Sequence, residues 1–218
     1  MPGPVKTRSY NSPRRREQAA ATRRQILEAA QPLFERDGWS ETTMAKIAEA
    51  AGVSLKTVYL GFETKSGVLR GLWNLRLRGD EAEAPVAQRD WYLAVLQEAD
   101  PERQLRLVAR NSRVVKERIG PLLAVIRSAA PVEPDIAGLW SRIQSEFYEN
   151  QLAIAQTLRR RKALRRGLSA QRAGDILWTL NHPDVWQLLV GERAWTPEQW
   201  ERWFGDAALA QLLAEPAS

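Results

Sequence analysis

Few side chains in this 218-residue chain could do covalent chemistry. There is no cysteine, which excludes disulfides, zinc fingers and thiol catalysis, and there is a single histidine, His182. A metal site of several histidines is therefore impossible within one chain, and Glu146 and Glu149 have ordinary surface-helix spacing. No glycine-rich phosphate loop and no nucleophile elbow is present. No catalytic residue, cofactor or metal ligand is assigned. What the chain does carry is the chemistry of recognition. Within residues 43–65 a cation, hydroxyls and a phenol (Lys56, Thr57, Tyr59) share the outward face of a short helix, between Thr43 and Lys65 at its flanks. That composition suits a DNA groove better than plain solvation.

The elements that must position them are legible in the same stretch. Met44, Ile47, Ala48 and Ala51 recur at offsets of three and four, one face of a helix. Gly52 ends that helix, Val53 plugs the corner, and Ser54 caps the next helix. Val58 and Phe62 then point inward, leaving Leu60 and Gly61 outside with the polar set. The reading is a helix-turn-helix unit. Ahead of it, a helix over about Arg14 to Arg36 carries the stripe Ile26, Ala29, Ala30, Leu33 and Phe34, and ends at Asp37-Gly38 with Trp39 folding back. A fourth helix starts at Thr64 and runs past Leu75.

Charge sharpens the reading. The net charge is +6. Residues 1–24 hold seven basic residues against one acid, Glu17, so the whole excess sits there and the remainder balances. Such an arm beside a helix-turn-helix fits phosphate or minor-groove contact; equally, it fits a solubilising tail. The expected division is a disordered basic arm over 1–13, a DNA-binding domain over 14–65 and a helical ligand-binding and dimerisation domain over 66–218. No apolar run approaches the ~18 residues of a membrane span, so the expectation is a cytoplasmic protein.

Beyond an acidic, Pro-containing stretch at 79–90 everything reads as helical, punctuated at Asp100-Pro101, Gly120-Pro121, Pro131 to Pro134, Gly167 and Thr196-Pro197, with Ser169 as a further cap. Seven of the nine tryptophans lie past residue 90. Trp178, His182 and Trp186 are spaced by four, on one face of a helix kinked at Pro183. With Trp73, Asn111, Trp140 and Phe147 they form the candidate ligand-binding set; the competing reading makes them core or interface residues. The basic run Arg159 to Arg166 reads as a solvated helix end. Ile176, Leu180, Leu188, Leu189, Trp200, Phe204, Leu209 and Leu212 mark a homodimer interface within 169–213.

Residues from about 20 to 75 resemble the DNA-binding region of the TetR (tetracycline repressor) family. The resemblance is carried by Ile26-Leu27, Ala29-Ala30, Leu33-Phe34, Asp37-Gly38-Trp39, Thr42-Thr43, Ile47-Ala48, Ala51-Gly52-Val53-Ser54, Val58-Tyr59, Phe62, Lys65 and Leu69. Asp175 to Phe204 is similar, more loosely, to C-terminal domains of one branch. The resemblance implies an all-α homodimer, with a three-helix helix-turn-helix domain followed by a helical bundle that binds ligand and dimerises. It places Thr43 at the opening of the second helix, Lys56, Thr57 and Tyr59 on the recognition helix, and Lys65 against phosphate. With Ser54, Leu60 and Gly61 these make the candidate DNA-binding set. Leu60-Gly61 departs from the family, which commonly has an aromatic or polar residue followed by His; Leu60 can instead meet a thymine methyl. The implied partners are a palindromic duplex and a small-molecule effector that releases it. A regulator with no such effector, or an all-helical enzyme or carrier, is the alternative.

Overall fold

The computed structural model describes residues 13–78 and 86–214. Most of the expected 1–13 arm, and residues 79–85 of the acidic stretch, lie outside that range. The described chain is helical, with one isolated bridge between Leu164 and Leu213. No described helix is long and apolar enough to cross a membrane. Two compact units are present, one ending at Leu72 and the other beginning at Trp73.

In the first unit, α1 (Pro13–Glu41) carries Ile26, Ala30 and Phe34 into the core and breaks at Gly38, whose φ of 73° is left-handed. The chain then turns back so that Trp39 stacks on Phe34, ring centroids 6.0 Å apart. α2 (Met44–Ala50) begins at Thr43, whose hydroxyl accepts from the Lys46 N–H. α3 (Leu55–Phe62) begins at Ser54, whose hydroxyl accepts from the Thr57 N–H. α4 (Lys65–Arg78) begins at Thr64 by the same device. Each cap satisfies a backbone donor that no helix turn can reach. Ile47, Val58, Phe62 and Leu69 close the core.

In the second unit, a short 3₁₀ turn at Val86–Gln88 leads to α5 (Asp90–Gln97), α6 (Pro101–Ala129), α7 (Pro134–Arg160) and α8 (Ala170–Leu180). A single turn, α9 (Pro183–Trp186), runs into a π-helical turn at Gln187–Glu192 and then α10 (Pro197–Leu212). Asp100, Ser169 and Thr196 cap α6, α8 and α10 through their side chains. The core gathers Leu105, Val108, Ile154, Leu158, Leu177, Trp200 and Phe204.

Three expectations need correction. Gly120-Pro121 does not interrupt α6: Pro121 lies inside it, and burial of Ile119, Leu122, Leu123 and Ile126 outweighs the missing donor. The expected kinked helix over Ser169 to Arg193 is not one helix, because α8 stops at Leu180 and His182 caps a fresh turn through Nδ1, which accepts from the Asp184 N–H at 3.2 Å. Trp200, Phe204 and Leu212 are fully buried inside their own chain, so they cannot face a partner.

Candidate functional site

The recognition surface is built by what α3 hides and what it leaves out. Val58 and Phe62 are buried, whereas Leu55, Tyr59 and Leu60 are exposed, Leu60 to 77%. Three large apolar groups on one face of an eight-residue helix are a poor arrangement for water and a good one for a groove. Ser54 and Lys56 are exposed beside them, and Thr57 is half-buried with its hydroxyl 2.7 Å from Ser54 Oγ. Thr43 is exposed at the α2 N-terminus, which directs backbone N–H groups outward, the geometry that phosphate oxygens accept. Gly61 is half-buried, and its carbonyl accepts from Arg23 of α1. The Arg23 guanidinium also lies over the Phe62 ring at 4.0 Å, so one side chain fixes the end of α3.

Lys65 does something the sequence did not reveal. Its ammonium donates to the Trp39 carbonyl at 2.6 Å and sits 4.1 Å from the centre of the Trp39 ring. It therefore ties the start of α4 to the end of α1.

The second unit holds a cavity of about 130 Å³ between the last turns of α4 and α5, α6 and α7. Trp73, Asn111 and Phe147 of the expected ligand set line it. Trp140 and Trp186 line a different, neighbouring hollow of about 330 Å³. Trp178 and His182 line neither; they meet edge to face, centroids 4.7 Å apart. The reason is the break after Leu180, which destroys the four-residue register on which that part of the set rested. Burial pulls His182 below its ordinary pKa, opposed by Asp184.

Several cavity residues escaped the sequence reading, Leu77, Trp91, Tyr92, Gln144, Gln151 and Asn181 among them. Tyr92 donates to the Asn150 carbonyl at 2.8 Å, and burial pushes its phenol up to about 12. The most consequential omission is Lys116, only 7% exposed and common to both hollows. Its ammonium donates to Asn181 Oδ1, whose amide nitrogen in turn donates to Ser112 Oγ at 2.9 Å. The ammonium lies 4.7 Å from the Trp200 ring centre, and burial pulls its pKa down to about 7. A signal did exist: Leu105, Val108, Ser112, Lys116, Ile119, Leu123 and Ile126 step by three and four along α6, with one lysine on an otherwise largely apolar stripe.

A tightly capped helix pair that presents an apolar and cationic face defines a helix-turn-helix regulator. Comparison with known proteins agrees. Residues 26–72 match the family described as bacterial regulatory proteins, tetR family. The regulator TtgR of Pseudomonas putida is 29% identical over 173 residues, covering 76% of this chain and 79% of its own. AcrR of Shigella flexneri is 27% identical over 168 residues, covering 74% and 75%. Among solved structures, NalD of Pseudomonas aeruginosa, the secondary repressor of a multidrug efflux pump, superposes with a TM-score of 0.70. It covers 92% of this chain and all of that one at 19% identity, which establishes the fold alone. The chain belongs to the TetR family of bacterial transcriptional regulators. It is a DNA-binding regulator and not an enzyme.

Proposed function

We propose that this regulator is a homodimeric repressor that holds a palindromic operator and lets go of it when a small, largely apolar ligand fills the cavity of the second unit. The observation that carries the reading is the cavity itself, walled by Trp73, Val108, Ile119 and Phe147. An empty space of about 150 Å³ lined by such groups is enough to bind a single aromatic ring. Trp73 and Leu77 in its wall belong to α4. A ligand that favours one setting of α4 needs about 1–3 kcal/mol of coupling to regulate.

In this reading the DNA-binding domain spans 14–65 and the ligand-binding and dimerisation domain 66–218, and the protein works in the cytoplasm, where its DNA is. Thr43, Ser54, Lys56, Thr57, Tyr59, Leu60, Gly61 and Lys65 meet the operator. The test is fluorescence anisotropy on a palindromic duplex taken from upstream of the protein's own gene. Binding should weaken steeply with salt, and Lys65→Ala should flatten the slope by about one counterion. A panel of small apolar compounds, screened by tryptophan quenching, should include at least one that releases the duplex. Salt-insensitive binding, or quenching without release, would overturn the reading.

A further inference from the structure

The cavity wall carries a cation, Lys116, with which no acidic side chain among the described residues pairs. The groups around the Lys116 ammonium are the amide oxygen of Asn181 and the faces of Trp200 and Phe147, at 4.7 and 5.8 Å. All are neutral. Among the described residues, the ion pairs of this unit are made by arginines and His182, as in Arg113 with Glu201 and Arg127 with Asp184. A buried ammonium held this way is costly, and it gives up its proton more readily than an exposed one.

The same wall holds a second irregularity. Among the described residues, the Gln144 amide nitrogen and oxygen are both buried without a hydrogen-bond partner, and so is the Gln151 amide oxygen. Gln151 is 5% exposed. Buried polar atoms left unsatisfied are rare in folded chains, and three of them on one cavity wall mark a place where a polar ligand group belongs. The rest of the wall is mostly hydrocarbon and aromatic, with Asn111, Ser112, Glu146, Asn150 and Asn181 as its other polar residues.

We propose that the ligand of this cavity is a small organic acid, an apolar body of about one ring bearing a carboxylate that pairs with Lys116, with the unpartnered Gln144 amide as a second donor. This rests on the reading of the cavity as the effector site. The carboxylate supplies the counter-ion that the fold omits, and the ring occupies the apolar remainder. Other charges face the same region. Glu146 on α7 lines the wall but is exposed and therefore screened, Asp184 is held by Arg127, and His182 stays below its ordinary pKa. Burial leaves Lys116 titrating near neutrality, and a bound carboxylate would raise it again. Binding of an acid then takes up a proton above neutrality, whereas binding of a neutral ligand does not.

Matched pairs test this on the full chain: benzoate against benzamide, phenylacetate against phenylacetamide, 1-naphthoate against 1-naphthamide, with affinity read by tryptophan quenching and release by operator anisotropy. At pH 7 the acids should bind roughly tenfold or more tighter than their amides. That advantage should shrink as the pH is raised to 9, and it should vanish in Lys116→Gln. The wild-type pH series needs no variant, so the proposal stays open to refutation even if Lys116→Gln does not fold. Acids and amides binding alike at all pH values would overturn the acid assignment and leave the ligand-gated reading intact. Failure of both acids and amides to bind would overturn the two together.

Discussion

Leu60 departs from its family's pattern and stands exposed on α3, where the proposed operator contact can be tested apart from folding. At 77% exposure it contributes almost nothing to the core, so Leu60→Ala should change stability by less than about 0.5 kcal/mol. Its loss should nevertheless weaken specific operator binding by about 1 kcal/mol, because a methyl contact to thymine disappears. Urea titration beside anisotropy separates the two, and equal binding by variant and wild type would remove Leu60 from the interface. Lys116 makes the opposite case, a side chain that matters through its burial. Its pKa is about 7 in the fold against the ordinary 10.5, so between those values the unfolded chain holds a proton that the native chain lacks. Stability should therefore climb with pH across that window, by up to about 1.4 kcal/mol per unit, and the penalty is present in full below it. Urea midpoints from pH 6 to 10 should show this rise in the wild type relative to Lys116→Met; parallel curves would contradict it. The caps at Ser54, Thr64, Asp100, Ser169 and Thr196 were legible in the sequence because capping is settled within four residues, and the second helix was narrowed to Thr42 or Thr43, of which the fold uses Thr43. For Lys116 the sequence shows only a lysine on the apolar stripe of α6, because tertiary packing alone decides what covers a lysine.

The junction between α3 and α4 is the element on which the recognition face depends. Phe62 O accepts from the Thr64 N–H at 2.6 Å across Glu63, whose φ of 61° and ψ of −46° make this a strained three-residue turn. The return is so close that a Cβ on Gly67 would stand 2.1 Å from the Phe62 carbonyl oxygen. That atom is backbone and cannot swing aside. Gly67→Ala should destabilise the first unit by about 1–3 kcal/mol or more and displace α3, so operator binding should fall further than stability alone explains. Gly61→Ala is the control: a Cβ there meets nothing within 4 Å, and it should stabilise the helix by about 0.5–1 kcal/mol. If both variants melt like the wild type, the junction is softer than its geometry says. Neither the tight return nor the strained Glu63 shows in residue types, since Glu63 looks like any helix-end acid. The break after Leu180 was hidden for a related reason. His182-Pro183 announces a disturbance, but whether a helix bends or stops there depends on what the next turn can bury, and here Trp186 turns to Trp200, centroids 5.0 Å apart.

At the scale of the whole molecule, a palindromic operator requires two reading heads on one particle, and the surface available for pairing is narrower than the residue pattern implied. With Trp200, Phe204 and Leu212 inside the chain, the expected interface positions still open are Ile176, Leu180, Leu189 and Leu209, half-buried, and Leu188, 52% exposed. These belong to elements that already share the core of the second unit, so a partner packed on them would extend an existing helix layer. A two-fold axis there uses each residue twice, and one charge introduced on the face therefore appears as two facing charges in the pair. Leu180→Glu and Leu209→Glu should each convert a dimer into a monomer of 24.7 kDa at micromolar concentration while retaining the helical circular dichroism of the wild type. The monomers should bind a single half-site weakly, with a salt slope near half that of the dimer, because half the phosphate contacts remain. Sedimentation velocity and the salt dependence of anisotropy read both quantities. Variants that stay dimeric would move the interface elsewhere, and a wild type that sediments as a monomer at micromolar concentration would rule out this pairing, leaving the operator to be read by some other assembly.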